Sequence, residues 1–253
     1  MDKLISGARN IGIALSPRQL EQFRVYYREL VEWNLRINLT AIKGYDAVQT
    51  RHFLDSLTVS LALSDRVDQR PWGPLRLLDL GTGAGLPGVP LKIVRPEIEL
   101  VLLDSVAKKT AFLHHLIRRL NLEGVEVVTG RAEELGNLPQ YREAFHAVTS
   151  RAVARLPALA ELGLPFCRIG GLLIAQKKVD AREEVEQAAR AIGVMGGALR
   201  EVKKLHLEEP GEERSLVIIE KVFPTPPGYP RRPGLPARRP VLSQIKDKPG
   251  QNT

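Results

Sequence analysis

The chain has 253 residues, 43% of them hydrophobic, with a formal net charge of +8, which predicts a sizeable core in one large domain or two small ones. The single cysteine, Cys167, excludes an intrachain disulfide and fits a reducing cytoplasm, and we expect neither a signal peptide nor a membrane span. The positive charge indicates an acidic partner, most often nucleic acid, although extra Lys and Arg are also common in thermostable proteins.

Two helical segments come first and predict an N-terminal helical cap over residues 1–70. A Ser-x-x-Gln capping box, with Pro17 at the first helical position after Ser16, predicts a helix over 16–35. Its apolar residues recur at helical spacing: Leu20, Phe23, Tyr27, Leu30 and Val31. A second helix is predicted over 46–62, and its polar side carries Arg51, His52, Asp55 and Ser56. This polar side is either solvated or directed at a functional site, and the same two interpretations apply to Asn38 and Thr40.

From residue 75 onward, short apolar runs alternate with helical segments. Each of the first five runs is followed by a helical segment, as is typical of a parallel sheet with helices on both faces. The five runs are LRLLDL, ELVLLD, VEVV, FHAVTS and GLLIAQK. Two last runs, LREVKKL and RSLVIIEK, have no helix between them and predict an antiparallel hairpin. Residues 71–222 are therefore predicted to form a doubly wound, mostly parallel α/β sheet of seven strands.

Residues 223–253 differ in composition from the rest of the chain. They contain 8 of the 18 prolines, and six Lys or Arg against one Asp. Proline disfavours both helix interiors and central strands. We therefore predict an extended, Pro-rich basic tail, which either contacts RNA or packs on the domain.

The run LLDLGTGAGLPG, residues 77–88, follows a predicted strand and opens a helix. Glycine at such a junction permits a tight turn, close approach of a ligand to the backbone and close packing of the helix. A helix N-terminus also suits an anionic group. Asp104 ends the next strand, where a carboxylate can accept hydrogen bonds from both hydroxyls of a ribose. The glycine run and Asp104 together predict a nucleoside cofactor in the first crevice of the sheet.

The carboxylate just before this run favours S-adenosylmethionine over a dinucleotide. Dinucleotide folds usually show G-x-G-x-x-G; here the first three glycines after the strand, Gly81, Gly83 and Gly85, stand two residues apart, with Asp79 two residues before them. Asp79 would repel a pyrophosphate but suits an ammonium group, which S-adenosylmethionine carries. The alternatives are an NAD(P)-dependent oxidoreductase, a non-enzymatic RNA-binding module, and a methyltransferase acting on a small molecule or protein. No metal site is predicted.

The sequence resembles the bacterial ribosomal RNA small subunit methyltransferase G family, also called glucose-inhibited division protein B. The resemblance covers about residues 15–240 and rests on WNLRINLT, RHFLDSL, LLDLGTGAGLPGVPLKIVRP, LLDSVAKKTAFL, GRAEEL, SRAVA, ERSLVIIEK and YPRRPG. It implies a class I S-adenosylmethionine-dependent methyltransferase fold and methylation of guanine N7 in small-subunit (16S) ribosomal RNA. Two departures are Lys178, where the family usually has glycine, and Ser215, where it often has histidine.

The resemblance, together with the glycine run, implies a set of site residues. The cofactor set is Asp79, Gly81, Gly83, Gly85, Leu86, Asp104, Ser105, Val106, Ala132, Glu133 and Arg151. Arg151, His52 and Asp55 are candidates near the target base, where positioning is the expected contribution, because guanine N7 has a free lone pair. A solvated surface charge is the alternative for Glu133 and Arg151. Candidate contacts to the RNA backbone are Lys108, Lys109, Lys177, Lys178, Arg214, Arg231 and Arg232. We expect a cytoplasmic monomer acting on ribosomal RNA or on an assembling small subunit.

Overall fold

A computed structural model describes residues 1–67, 74–177, 180–206 and 213–242. Seven strands form one sheet in the order β3-β2-β1-β4-β5-β7-β6. The strands are β1 (Arg76–Leu80), β2 (Glu99–Asp104), β3 (Val125–Thr129), β4 (Phe145–Arg151), β5 (Cys167–Lys177), β6 (Gly197–His206) and β7 (Glu213–Lys221). The first five strands pair in parallel, and β7 pairs antiparallel with both β5 and β6. The predicted fold class is therefore confirmed.

Helices cover both faces of this sheet. They are α1 (Asp2–Asn10), α2 (Pro17–Ile37), α3 (Tyr45–Val48), α4 (Asp55–Leu57), α5 (Ser60–Val67), α6 (Gly88–Val94), α7 (Ala107–Leu120), α8 (Ala132–Leu135), α9 (Leu156–Gly163), α10 (Arg182–Val194) and α11 (Leu235–Arg238). None of the helices in the described ranges is long and apolar enough to cross a bilayer. The capping box of α2 is confirmed, since the Ser16 hydroxyl accepts from the Gln19 amide and the Gln19 side chain accepts from the Ser16 amide.

The second predicted helix of the cap differs from the expectation of a regular helix over 46–62. It begins one residue earlier, at Tyr45, with Gly44 as its N-cap. After α3 it passes through a π-helical stretch, Gln49–Leu54, before α4. Insertions of this kind in a helix are frequent at functional sites. Here the irregular stretch carries two of the polar candidates, Arg51 and His52.

The sheet separates two hydrophobic cores. The first core joins the cap helices to the sheet face that carries Leu77, Leu102 and Ile174. The second lies on the opposite face, against α9 and α10, and Tyr229 and Val241 pack against it. Because side chains alternate between the two faces of each strand, Asp79, Thr149 and Gln176 face the cap.

Residues 222–242, called the strap below, pack on α8 and α9 on the side of the sheet that carries the second core. The prediction of an extended tail without helix is wrong for Leu235–Arg238, which form α11. Proline is tolerated there because Pro236 lies in the first helical turn, where its missing N–H costs no internal hydrogen bond. Pro236 is buried. The strap is thus packed on the protein rather than free.

Candidate cofactor and substrate site

The glycine turn lies between β1 and α6, at the carboxyl end of the first strand. Gly81, Gly83 and Gly85 have φ of +67°, +59° and +90°, a region that residues with side chains rarely adopt. A Cβ at Gly83 would meet only the Gly81 carbonyl oxygen, at 4.0 Å, whereas one at Gly81 would collide with the side chain of Val153. The structure therefore confirms the conformational reason for glycine at these positions and leaves open space beside Gly83.

Asp79 lies fully buried beneath this turn. Its Oδ2 accepts hydrogen bonds from the Thr82 hydroxyl at 2.5 Å and from the Gly88 amide at 2.8 Å. Burial raises the pKa of Asp79 to about 6, although these two donors oppose the shift. Within the described residues its other oxygen, Oδ1, has no hydrogen-bond partner. The carboxylate therefore joins both ends of the glycine turn.

Asp104 connects the turn to the end of β2. Its Oδ2 accepts from the Gly83 amide at 2.9 Å, and its Oδ1 accepts from the Val106 amide at 2.9 Å. A carboxylate offers about four lone-pair sites, so capacity for hydroxyl donors remains. Ser105 and Val106 are exposed beside it. The acceptor set, the open space at Gly83 and the exposed neighbours fit the ribose and base of a nucleoside.

The start of α8 adjoins Asp104 on the side of β3. The Gly130 amide donates to the Asp104 carbonyl at 3.1 Å, and α8 begins two residues later. Ala132 is half-buried and Glu133 is buried. The Glu133 Oε1 accepts from the Gly234 amide of the strap at 2.8 Å. The alternative of a solvated charge at Glu133 is therefore wrong.

Asp55, a buried carboxylate of the cap, binds two arginines next to the glycine turn. Asp55 is 4% exposed; its Oδ2 lies 3.0 Å from Nη1 of Arg151 and its Oδ1 lies 3.1 Å from Nε of Arg214. The side-chain amide of Gln176 donates to the Asp55 backbone carbonyl at 2.7 Å. These groups line a cleft of about 710 Å³, a size usual for ligand sites. Thr40, Arg51, His52, Ala152 and Lys177 also line it.

His52 connects the segment Asn38-Leu39-Thr40 to Arg151. Its Nε2 lies 2.7 Å from the Thr40 hydroxyl, and its Nδ1 lies 3.4 Å from Nη2 of Arg151. The Asn34 side chain fixes the backbone of Thr40 with two hydrogen bonds, at 2.8 and 2.9 Å. Asn38 ends α2 in a left-handed conformation. Since His52, Asp55 and Ser56 are buried, the interpretation of a wholly solvated polar face is wrong; Arg51 alone of the four is exposed.

Sequence reasoning missed three residues of this region: Tyr26, Asn34 and Gln176. Tyr26 is fully buried, its hydroxyl donates to the Ala84 carbonyl of the glycine turn at 2.5 Å, and burial raises its pKa well above the usual value. The spacing Phe23-Tyr26-Leu30 would have indicated it, since these residues share a helix face. Gln176 had no local signal beyond its position at the end of a buried strand.

The basic candidates fall into separate environments. Lys108 and Arg232 are exposed, while Lys109 lies 3.9 Å from Asp104. The Lys177 ammonium donates to the Ala154 carbonyl and to Glu184. The Arg231 guanidinium forms two hydrogen bonds to Glu161, at 2.6 and 2.8 Å. Lys178 lies outside the described residues. The described residues contain no cluster of three His, Cys, Asp or Glu side chains suited to a metal ion.

A seven-stranded sheet closed by an antiparallel hairpin, with a glycine turn after β1 and a carboxylate after β2, defines a class I methyltransferase, for which S-adenosylmethionine is the methyl donor. Solved structures share the fold: the CurJ carbon methyltransferase (TM-score 0.53, 12% identity, 88% of this chain and 70% of that chain) and a putative methyltransferase bound to the Haloferax volcanii Trm112 activator (TM-score 0.51, 13% identity, 77% and 98%). The chain belongs to the family described as rRNA small subunit methyltransferase G, whose model matches residues 19–217.

Relatives of the same description cover nearly the whole chain. The protein of Roseiflexus castenholzii is 49% identical over 96% of this chain and 100% of its own length. The protein of Dehalococcoides mccartyi is 48% identical with the same coverage. That of Pelotomaculum thermopropionicum is 45% identical over 93% of this chain and 96% of its own length. Each is named ribosomal RNA small subunit methyltransferase G. The predicted family, enzyme class and cofactor are confirmed.

Proposed function

We propose that the protein transfers the methyl group of S-adenosylmethionine to N7 of a guanine in small-subunit ribosomal RNA. The observation that carries this proposal is the adjacency of the glycine turn and the arginine-lined cleft. Asp79 of β1 pairs in register with Thr149 of β4, so Arg151 at the end of β4 lies beside the turn that follows β1. A nucleoside site and a cationic cleft therefore share one edge of the sheet, as a transfer to nucleic acid requires.

The residues around the turn would hold the cofactor in three parts. Gly81, Gly83, Gly85 and Leu86 would lie along its amino-acid and ribose side, and Asp79 would support their backbone. Asp104 would accept from the ribose hydroxyls, with Ser105, Val106, Ala132 and Glu133 near the adenine. Arg151 would lie between cofactor and target base. When bound, S-adenosylmethionine supplies an electrophilic methyl group on its sulfonium.

The protein's own contribution is positioning. Guanine N7 has a free lone pair, so no proton has to be removed by a general base. Asp55 fixes the guanidinium groups of Arg151 and Arg214 in one arrangement, and His52 fixes the Thr40 segment opposite them. A base held between these groups and the cofactor has its orientation restricted, and orientation alone can supply a large part of a barrier.

Contacts to the RNA backbone would offset the cost of taking the guanine out of its stack, which is a few kcal/mol. The exposed Lys108 and Arg232 support this role, as do Lys109 near the site and the net charge of +8. Lys177, Arg214 and Arg231 are less suited, since Glu184, Asp55 and Glu161 already bind their cationic groups. We further propose a monomer acting in the cytoplasm, on free ribosomal RNA or on an assembling subunit.

Mass mapping of small-subunit ribosomal RNA tests the proposal. RNA from cells with the protein is expected to carry one 7-methylguanosine that is absent from cells without it. The modification should not return with an Asp104→Ala variant but should return with Glu134→Ala, an exposed neighbour of the site. Identical RNA masses with and without the protein would contradict the proposal.

A further inference from the structure

The strap is fixed to the body of the protein by buried or partly buried ionic groups. Arg231 of the strap pairs with Glu161 of α9, whose carboxylate is fully buried. Arg142 reaches across from the body and donates to the carbonyls of Tyr229 at 2.7 Å and Thr225 at 2.8 Å. A buried carboxylate is costly without its partner. The strap therefore does not detach freely from the body of the protein.

Two hydrogen bonds and a bridge through Arg142 connect the strap to α8 and the turn that follows it. The Gly234 amide donates to the Glu133 carboxylate at 2.8 Å. The Asn137 side chain donates to the carbonyls of Glu133 at 2.8 Å and Pro230 at 3.3 Å. Arg142, besides holding the strap, donates to the Gly136 carbonyl at 3.1 Å. Residues 132–137 are thus attached to the strap at both ends.

These residues need outside support, because a four-residue helix forms too few internal hydrogen bonds to hold itself. Residues 132–137 follow the end of β3, where the chain contacts Asp104. The Gly130 amide donates to the Asp104 carbonyl, and Thr129 is the register partner of Asp104. A displacement of α8 would therefore be felt two to three residues away, at the backbone of Asp104, whose carboxylate is proposed to hold the ribose.

We propose that the strap is a positioning element for the nucleoside side of the cofactor site. It holds Glu133 and the start of α8 in place, and it acts through them rather than by touching the cofactor. This inference rests on the proposed assignment of Ala132 and Glu133 to the cofactor. It predicts that damage to the strap weakens cofactor binding selectively, beyond any loss of stability.

Two glycines of the strap provide a matched test. Gly234 and Gly228 have φ of +80° and +87°, and a Cβ at either would meet no atom within 4 Å. Alanine at either position therefore strains the backbone without a clash, and similar losses in melting temperature are expected. In Gly234→Ala the strain falls on the amide that donates to Glu133. S-Adenosylhomocysteine affinity, measured by calorimetry on the full chain, should weaken about fivefold, the lower end of usual site-to-site couplings. In Gly228→Ala it should stay at the wild-type value.

A second pair of variants consists of one with a larger expected loss of affinity and its control. Arg231→Ala removes the partner of buried Glu161 and should weaken S-adenosylhomocysteine binding about tenfold. Arg119→Ala removes an arginine from buried Glu29 on the cap, so it should lower the melting temperature with no change in affinity. Amide hydrogen exchange should rise in residues 130–137 in Arg231→Ala and stay unchanged there in Arg119→Ala.

The outcomes separate the inference from the function beneath it. Weakened binding in Gly234→Ala and Arg231→Ala, with both controls at the wild-type affinity, supports the strap as a positioning element. Equal affinities in all four variants, with wild-type protein binding normally, would overturn it and leave the proposed function standing. Failure of the wild-type protein to bind S-adenosylhomocysteine would instead overturn the proposed cofactor site.

Discussion

The N-terminal cap and the C-terminal strap lie on opposite sides of the same sheet, yet they reach the candidate site in different ways. The cap contributes side chains directly: Tyr26 bonds the glycine turn, and Asp55 orders the arginines of the cleft. The strap approaches through Glu133 and the turn around it. Burial and ion pairing are therefore found both in residues that line the candidate site and in residues that only hold the site in place, so these two properties alone do not separate the two groups.

The largest expected difference between the two regions is in methyl transfer. Asp55→Ala leaves two arginines without their shared partner and is expected to lower the transfer rate, at saturating cofactor, by about two orders of magnitude, as misplacement of reacting groups can. Glu161→Ala removes the matching carboxylate under the strap, and its rate at saturating cofactor should fall by much less. Both should lose about 3 kcal/mol of stability. Rates are compared per folded molecule, and equal rates in the two variants would contradict the distinction.

Asp104 is where the contributions of cap and strap meet, because the Gly83 amide donates to its carboxylate and the Gly130 amide donates to its backbone carbonyl. Asp104→Ala is expected to weaken S-adenosylhomocysteine binding by about 10- to 100-fold, since a hydrogen bond to a charged group is worth about 1.5–3 kcal/mol. Calorimetry measures this directly, with Glu134→Ala as the control. Combining Asp104→Ala with Gly234→Ala should give less than the sum of the two effects, and strict additivity would separate the strap from this carboxylate.

Two neighbouring tyrosines of α2 test the contact between the cap and the glycine turn. Tyr26→Phe removes the hydroxyl that bonds Ala84, whereas Tyr27→Phe alters a half-buried ring packed against Tyr45. The first is expected to weaken S-adenosylhomocysteine binding about fivefold, for a hydrogen bond worth about 1 kcal/mol. The second should leave binding unchanged. Calorimetric titration of both variants that gave the same affinity would remove Tyr26 from the support of the turn.

The smallest expected effect on binding comes from Asp79. Its pKa is raised to about 6 by burial, so its protonated form adds stability below about pH 4, its range in the unfolded chain. That contribution is lost as pH rises through about 6. Asp79→Asn keeps an oxygen for Thr82 and Gly88, and the stability of the wild type relative to it should fall across this window in urea titrations. S-Adenosylhomocysteine affinity at pH 7 should change little. A large loss would favour a direct role with the ammonium group.

Local patterns predicted most of the fold. The five apolar runs followed by helices, the final hairpin and the capping box of α2 all depend on residues close together in sequence. Glycine and Asp104 at their strand ends were predictable because parallel strands bring their carboxyl ends to one edge of the sheet. The orientation of α2 was predicted only in part: the five apolar positions chosen from the sequence include Tyr27, which is half-buried, whereas the fully buried tyrosine is Tyr26.

The strap was beyond such reasoning because its contacts are long-range. Arg231 and Glu161 are 70 residues apart, and Gly234 and Glu133 are 101 apart. Each residue alone has the signature of a surface charge or a turn, so the basic Pro-rich composition indicated only a tail. The Asp55 cluster was partly predictable, since Asp55 and Arg151 were separate candidates, but their shared hydrogen bond required the cap to be folded against the sheet.

The order of the strands has a consequence for synthesis of the chain. β7 lies between β5 and β6, so β6 has no place in the sheet until residues 213–221 have left the translating ribosome. Until then the long edge of β5 keeps unpaired backbone groups, which are a template for association with other chains. Domains that depend on late, distant pairings complete their folding slowly. The nascent enzyme therefore completes its sheet only after β7, the last strand in chain order, has been synthesised.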